Sequence, residues 1–284
     1  MTRRDPTWAE ALAEARRRLP PPLHPSFEAE ELLARATGRP RSWFQARRLE
    51  PAPAQEVARF DALVARRQAG EPLQYLLGEW EFLGRTFRVD PRALIPRHET
   101  EGIVEAAREA APGASWVLDA GTGSGILAVT LALERPPARV VALDRSAAAL
   151  ALTRENARLH GVLDRVLPAA SDWVSALSAS RGRPFELVVA NPPYVPLADA
   201  PHVEKTVSDH EPGLALWGGD DGLDPLRHLV RVLPPLMAPG APFVFEIGYG
   251  QARGASEAVD GSALRLEGIR LDTAGIPRVG TARR

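Results

Sequence analysis

The pattern of apolar positions changes near residue 78 of this 284-residue chain. Before that point, apolar residues recur at helical spacing in three segments, 8–19, 27–36 and about 54–68. The proline run 20–22 ends the first of these helices, because proline cannot continue a helix. Ser26 stands where an N-cap would begin the second helix, and Gly38 stands where that helix would stop. We therefore predict a helical domain over residues 1–78.

A short segment after this domain alternates apolar and polar residues on both sides of Gly84. Alternation with a period of two is typical of strands, and a glycine between two such runs is typical of a tight turn. We therefore predict a β-hairpin within a linker that spans residues 79–91. This linker would join the helical domain to the rest of the chain.

From about residue 92, short apolar runs alternate with helical segments. The apolar runs are predicted as strands at 116–119, 140–143, 165–167, 185–190 and 242–247. Helices are predicted at 125–134, 146–159 and 223–237. Strands that alternate with helices favour a parallel sheet covered on both faces. The prediction for residues 92–284 is an α/β domain with a mostly parallel sheet.

Composition narrows the kinds of protein that this chain can be. Hydrophobic residues make up 45% and charged residues 25%, a globular profile, and cysteine is absent, which excludes disulfides. The formal net charge is -1, so we expect no stable binding to nucleic acid. The histidines lack metal-ligand spacing, and no apolar run approaches the roughly 20 residues that span a membrane. The first residues lack the apolar core of a signal peptide, and we expect a cytoplasmic protein without a metal.

A glycine-rich loop follows the first strand of the predicted sheet and opens the next helix. Its residues are Asp119, Gly121, Thr122, Gly123, Ser124 and Gly125. Glycine allows tight turns and a close approach of the backbone to a ligand. The spacing Gly-x-Gly-x-Gly differs from the Gly-x-Gly-x-x-Gly of dinucleotide sites. A carboxylate at Asp119 would repel a pyrophosphate, whereas it suits a ligand that carries an ammonium and a sulfonium.

Polar residues also follow the next two predicted strands. Asp144 stands where a carboxylate can hold the two hydroxyls of a ribose. Asp172 can accept a hydrogen bond from an adenine amino group, and Trp173 can lie against the ring. The alternatives are an N-cap at Asp144 or Ser146, and a core position for Trp173. Signals at the ends of three successive strands favour a ligand, and the ligand they imply is S-adenosylmethionine.

Asn191, Pro192, Pro193 and Tyr194 follow the strand predicted at 185–190. Two successive prolines cannot donate ladder hydrogen bonds, so the strand stops there. The stop places an amide, a carbonyl and an aromatic face at the carboxyl end of a strand, where ligands bind in α/β sheets. The Asn191 oxygen and the Pro192 carbonyl can each accept one N–H of a planar NH2 group, against which Tyr194 would pack. That group is either an amide or the exocyclic amine of a base.

Longer segments resemble a known family. The glycine loop, Asp144 and residues 191–194 resemble the class I methyltransferases that act on planar nitrogen. Five further segments are similar to the release factor glutamine methyltransferases of the PrmC/HemK type: 74–78, 93–101, 211–216, 218–224 and 272–278. The resemblance covers nearly the full length. His98 departs from it, because the family usually carries proline there, and the loop 175–184 is longer than usual.

The resemblance implies a Rossmann-like class I methyltransferase domain preceded by a small helical substrate-recognition domain. It implies methyl transfer from S-adenosylmethionine to the side-chain amide nitrogen (N5) of glutamine in the Gly-Gly-Gln motif of class 1 peptide chain release factors. The products are N5-methylglutamine and S-adenosylhomocysteine, and no metal is needed. Asn191, Pro192 and Tyr194 are expected to be catalytic, and Pro193 to complete the substrate site. The expected cofactor contacts are Asp119, Gly121, Thr122, Gly123, Ser124, Gly125, Asp144, Asp172, Trp173 and Asn191.

Three other functions are weighed against this one. A nucleic-acid exocyclic-amine methyltransferase uses a similar motif on a flipped base, but the net charge of -1 and the absence of a recognition insert argue against it. A ribosomal-protein glutamine methyltransferase would carry out the same chemistry. A silent binding module on the same fold is disfavoured by the two intact motifs. The arginine-rich helical domain is interpreted as solvated surface, with a docking surface for an acidic or RNA-associated partner as the alternative.

Overall fold

The computed structural model describes residues 4–19, 24–179 and 182–284. Contacts divide the chain into two units, 1–79 with 205–210, and 80–204 with 211–284. The proline run 20–22, predicted to end the first helix, lies outside the described residues. The two units are described separately below.

The first unit is helical over its described residues. Its helices are α1 (Trp8–Arg18), α2 (Pro25–Thr37), α3 (Arg41–Ala46), α4 (Ala54–Gln68) and α5 (Leu73–Leu77), together with the short α9 (Lys205–Ser208). The helix predicted over 54–68 is confirmed, and Gly38 ends α2 with a left-handed φ of 71°. The N-cap predicted at Ser26 is wrong. Pro25 occupies the first turn of α2, so His24 precedes the helix and Ser26 lies within it.

Helices α1, α2 and α4 bury one apolar face each. Trp8, Leu32 and Phe60 are at most 1% exposed. A buried ion pair joins two of these helices, because the Arg67 Nε donates to a Glu28 carboxylate oxygen at 2.7 Å. The helices α3 and α5 were not predicted, since runs of six and five residues are too short to show a helical period.

The predicted hairpin forms. Its strands are β1 (Glu79–Phe82) and β2 (Arg85–Arg88). Leu83 and Gly84 make the turn with φ of 48° and 70°, and two positive φ values are what a tight two-residue hairpin turn requires. Leu83 adopts this conformation against the ordinary preference of a branched side chain, and its N–H donates to the Glu101 carboxylate at 3.1 Å.

A mixed sheet of seven strands forms the centre of the second unit within the described residues. Its order is β5-β4-β3-β6-β7-β9-β8. The strands are β3 (Trp116–Ala120), β4 (Arg139–Asp144), β5 (Val166–Ala170), β6 (Leu187–Ala190), β7 (Pro242–Glu246), β8 (Arg265–Leu271) and β9 (Pro277–Arg283). Strands β3 to β7 pair in parallel, whereas β9 pairs antiparallel with both β7 and β8. The mostly parallel sheet is confirmed, while β8 and β9 were not predicted.

Helices cover both faces of this sheet. They are α6 (Glu101–Ala110), α7 (Ile126–Glu134), α8 (Ala147–Leu159), α10 (Asp224–Val232) and α11 (Ala252–Asp260). One buried cluster joins α6, α7 and α8 to alternate strand residues such as Val117, and another joins α10 and α11 to the intervening residues such as Leu118. The single helix predicted over 223–237 is wrong. It ends at Val232, because Pro234 cannot continue it, and a separate 3-10 turn follows at Pro234–Leu236.

The strand order reverses between β3 and β6. The chain passes from β3 outward to β4 and β5 and then returns to the other side of β3. Neighbouring parallel strands whose connections leave in opposite directions create a crevice at their carboxyl ends. None of the described helices is long and apolar enough to span a membrane. The residues that the structure describes contain no group of three or more potential metal ligands.

Candidate active site

A cavity of about 490 Å³ opens at the carboxyl ends of β3, β4 and β6. Its volume falls in the range typical of small-molecule sites, roughly 300–1,000 Å³. Its wall includes nine of the residues predicted from sequence, namely Gly121, Thr122, Gly123, Ser124, Asp144, Asp172, Trp173, Asn191 and Pro193. All of its lining residues belong to the second unit. The crevice between β3 and β6 therefore brings the glycine loop and the Asn-Pro-Pro-Tyr segment to one site.

The glycine loop is held by the neighbouring strand. The backbone N–H groups of Gly121 and Thr122 both donate to the Leu143 carbonyl, at 2.9 and 2.8 Å. Gly125 has a φ of 83°, and a Cβ atom there would lie 2.8 Å from a methyl of Thr153. Glycine is therefore required at this position both by backbone conformation and by the close approach of α8.

Asp119 lies beneath the loop and outside the cavity wall. Its side chain is fully buried and accepts from the Thr122 hydroxyl at 2.7 Å and from the Ala128 N–H at 3.1 Å. Burial, with a smaller contribution from the nearby charge of Asp144, raises the pKa of Asp119 to about 7. The structure thus places Asp119 as a support that ties the loop to the first turn of α7.

Asp144 lies half-buried on the cavity wall. Its two carboxylate oxygens accept from the N–H of Gly123 at 2.9 Å and from the N–H of Ser146 at 2.8 Å. The N-cap of α8 is Ser146, whose hydroxyl accepts from the Ala149 N–H. Asp144 is therefore not the helix cap. Each of its oxygens keeps a further lone pair for a hydroxyl donor in the cavity.

Asp172 and Trp173 form another part of the wall, after β5. Asp172 is exposed, and Trp173 is half-buried with a left-handed φ of 50°. A Cβ atom at Gly121 would lie 3.5 Å from the Trp173 ring, an ordinary van der Waals contact, so the loop and the indole lie close together. Trp173 also packs on the buried cluster beside α10. The core and ligand interpretations of Trp173 are therefore compatible, and its strained backbone holds the ring at the cavity.

The Asn-Pro-Pro-Tyr segment contributes two of its four residues to the wall. Asn191 and Pro193 line the cavity, whereas Pro192 is buried and Tyr194 is half-buried outside the lining. The Tyr194 carbonyl accepts from Gln251 Nε2 at 2.8 Å. The strand β6 ends at Ala190, as the two prolines predicted. The segment is thus held from behind by a side chain that sequence reasoning did not identify.

A hydrogen-bond chain leads from Asn191 into the protein interior. Asn191 Nδ2 donates to the Thr100 hydroxyl at 3.0 Å, and that hydroxyl donates to Glu246 Oε2 at 2.7 Å. Burial raises the pKa of Glu246 to about 7. Burial, and next the Glu246 charge, raise the pKa of Tyr194 above its usual range, so the phenol stays protonated. Neither Thr100 nor Glu246 was predicted as a site residue, although a carboxyl at the end of the apolar run 242–245 is a signal.

The wall near Pro212 is joined to the segment 92–97 by one buried carboxylate. Glu211 accepts from the Ile95 N–H at 3.0 Å and from the Arg97 guanidinium at 2.5 Å. Glu211 is 5% exposed, and Arg97 lines the cavity. This ion pair fixes two loops that are more than 100 residues apart in sequence, which is why sequence reasoning gave Glu211 no role.

Asn156 links the glycine loop to the hairpin. Its Nδ2 donates to the carbonyls of Ser124 and Arg88, at 2.8 and 3.1 Å. Its Oδ1 accepts from the Arg88 N–H at 2.8 Å, and the side chain is fully buried. All the hydrogen-bonding groups of this amide are therefore used in holding two backbone segments together.

Known proteins share both the sequence and the architecture of this chain. Residues 10–78 match the family model described as the PrmC N-terminal domain, and residues 103–207 match the methyltransferase small domain. The release factor glutamine methyltransferase of Geobacter sulfurreducens is 44% identical over 226 residues, which cover 80% of this chain and 78% of the relative. The release factor glutamine methyltransferase of Moorella thermoacetica is 42% identical over 277 residues, which cover 96% of each chain.

Among solved structures, a methyltransferase from Pyrococcus furiosus superposes with a TM-score of 0.55 and 14% identity, covering 77% of this chain and 98% of that one. Identity this low shows the fold alone, and the fold is that of the class I methyltransferases. The sequence relatives go further, because they match at above 40% identity over most of both chains. The chain belongs to the release factor glutamine methyltransferase family.

Proposed function

We propose that this protein methylates the side-chain amide nitrogen (N5) of the glutamine in the Gly-Gly-Gln motif of class 1 peptide chain release factors. S-adenosylmethionine is the donor, and N5-methylglutamine and S-adenosylhomocysteine are the products. The observation that carries the proposal is the Asn191 side chain on the wall of a cavity that also contains the glycine loop. A planar NH2 group held at Asn191 lies beside the place where a methyl donor would bind. Family membership supports a glutamine amide as that group.

The residues of the cavity fit S-adenosylmethionine. Asp144 offers carboxylate lone pairs to a ribose, while Trp173 on the cavity wall offers its indole to a flat ring. Asp172 stands beside Trp173 as an acceptor for an adenine amino group. The glycine loop supplies close backbone approach. We assign Asp119 to the cofactor site indirectly, through its support of Thr122 and the start of α7.

The chemistry depends on orientation of a weak nucleophile. S-adenosylmethionine, when bound, supplies an electrophilic methyl group on a sulfonium. An amide nitrogen shares its lone pair with its carbonyl and attacks poorly unless its face is aimed at that methyl. We assign Asn191 Oδ1 and the Pro192 carbonyl as the two acceptors that hold the substrate NH2. Fixing a reacting group in this way can lower a barrier by up to roughly 7–11 kcal/mol.

The other residues of the segment support these two acceptors. Pro193 stiffens the turn, and the Tyr194 carbonyl is held by Gln251. The Tyr194 side chain is half-buried, and its packing on the substrate amide stays a prediction. The nitrogen proton leaves after the new bond has begun to form and passes to water or a neighbouring acceptor, so no strong base is required.

We propose that the helical domain, residues 1–78, recognises the release factor. Its match to the PrmC N-terminal domain model supports a role shared with the family. The net charge of -1 gives no general attraction to nucleic acid, so we expect a protein partner without stable nucleic-acid binding.

One experiment tests the function against its alternatives. The protein is incubated with methyl-labelled donor and, separately, a class 1 release factor, a ribosomal protein mixture and nucleic acid. Label on the Gly-Gly-Gln glutamine supports the proposal. Label on a ribosomal protein or on a base selects one of the other methyltransferase functions, and no label on any of them favours a silent module.

The role of Asn191 is tested with Asn191→Ala. We expect a loss of kcat of more than about tenfold, equivalent to ~1.4 kcal/mol, with cofactor affinity nearly unchanged by calorimetry. A variant that keeps more than about a tenth of the wild-type kcat contradicts the orienting role.

A further inference from the structure

We propose that Thr100 and Glu246 are positioning residues that fix the orientation of the Asn191 carboxamide, so that its oxygen, and not its NH2, faces the substrate. The inference rests on the proposed function, in which that oxygen receives an N–H of the substrate amide. It adds two residues to the site, neither of which has to touch the substrate.

The direction of each hydrogen bond in the series from Asn191 through Thr100 to Glu246 follows from the acceptor at its buried end, the Glu246 carboxyl. The Thr100 hydroxyl donates its single proton to Glu246 Oε2 at 2.7 Å, and Oε2 can accept it whether the carboxyl is ionised or carries its proton on Oε1. That leaves a lone pair of the Thr100 oxygen facing Asn191. The Asn191 group that meets it, at 3.0 Å, must then be the NH2. The side-chain oxygen is left for the cavity.

Loss of the carboxylate would remove this constraint. The Thr100 hydroxyl could then turn its proton towards Asn191, and the carboxamide could flip. A flipped carboxamide would present NH2 to a substrate NH2, and two donors cannot form a hydrogen bond. The hydrogen bonds from Asn191 to Glu246 therefore select a substrate group that donates, such as a glutamine amide, over one that only accepts, such as a glutamate carboxylate.

Burial makes these hydrogen bonds effective in fixing the Asn191 carboxamide. Thr100 and Glu246 are each 1% exposed, so bulk water cannot replace either partner. The second oxygen of Glu246, Oε1, is buried as well. A carboxyl that is buried at the end of an apolar strand costs stability. A role in positioning Asn191 explains why this carboxyl is present at a place where packing alone would not favour it.

The hydroxyl is tested with Thr100→Val, which keeps the shape and removes the hydrogen bonds. We expect kcat for release factor methylation to fall at least about tenfold while cofactor affinity stays within about twofold. Thr100→Ser, which keeps the hydroxyl, should recover most of the loss. The matched control is Thr130→Val, because Thr130 is also fully buried and its hydroxyl has no partner in the described residues. A kcat for Thr100→Val equal to that of Thr130→Val overturns the proposal.

The carboxylate is tested with Glu246→Leu and Glu246→Gln. Leucine removes the acceptor and should lower kcat as Thr100→Val does, and the double variant should be no worse than either single one. Glutamine can still accept through its oxygen and should retain more activity than leucine. If the fold loss in kcat of the double variant equals the product of the losses in Thr100→Val and Glu246→Leu, the two residues act separately and the proposal is overturned.

A readout without turnover separates this inference from the proposed function. The side-chain NH2 signal of Asn191, assigned in a 15N spectrum by its absence in Asn191→Asp, should shift in Thr100→Val and Glu246→Leu but not in Thr130→Val. An unmoved signal overturns the inference even if the enzyme is active. A moved signal with no methylation of any release factor overturns the proposed function instead, and leaves the orientation of Asn191 supported.

Discussion

Replacing Glu246 by glutamine should change how stability depends on pH. The folded protein holds the Glu246 proton with a pKa of about 7, against the usual value of 4.5, because the carboxyl is buried. A raised pKa of an acid means that its stabilising contribution is fully present below about pH 4.5 and is lost as the pH rises through about 7. At ~1.4 kcal/mol per pKa unit, the difference between the folded and the usual pKa corresponds to about 3 kcal/mol of stability. Glutamine does not ionise, so Glu246→Gln should escape this loss.

The assay is urea unfolding of wild type and Glu246→Gln at about pH 5 and about pH 8, with the two free energies of unfolding compared at each pH. From the lower to the higher pH, the free energy of unfolding of Glu246→Gln should rise by roughly 2–3 kcal/mol relative to that of wild type. Glu257→Gln provides the control, since that glutamate is mostly exposed, with 64% of its side chain accessible. Parallel pH curves for wild type and Glu246→Gln would refute the reasoning, because they would mean that burial does not hold this carboxyl in its neutral form.

Two further predictions concern Asp144 and the glycine loop. Asp144→Ala should weaken S-adenosylhomocysteine binding by at least about tenfold in calorimetry, because it removes the proposed ribose acceptor; an unaltered dissociation constant would contradict that assignment. Gly125→Ala should destabilise the protein by about 1–3 kcal/mol more than Gly84→Ala in thermal unfolding, because both glycines have positive φ but only Gly125 would place a Cβ against Thr153. Equal effects at the two glycines would show that α8 gives way to the added atom.

The parts of the site that follow single strands were predictable from local sequence. The glycine loop and Asn191 come directly after apolar runs, and glycine or proline marks where each strand must stop. The sheet places such ends together whenever neighbouring strands are parallel. The depth of a residue at a strand end was not predictable in the same way. Asp119 was expected in the cavity, yet it lies below the loop, because the loop folds over it to reach the Leu143 carbonyl.

Residues that act through distant partners were not predictable from one sequence. Thr100 and Glu246 are 146 positions apart in the chain, and neither has a local pattern that names the other. The strand β9 was missed for a related reason. Its sequence includes proline, glycine and two arginines, and it becomes a strand by pairing with β7, where Gly280 leaves room for the Phe245 ring.

Asn156 has a kinetic consequence. Its amide holds the backbone of Arg88 in the hairpin and the backbone of Ser124 in the glycine loop at the same time. Any movement of the loop away from the hairpin therefore has to break these hydrogen bonds or draw β2 with it. We expect the exchange rate of the Arg88 amide hydrogen, which Asn156 protects, to report such movements of the glycine loop.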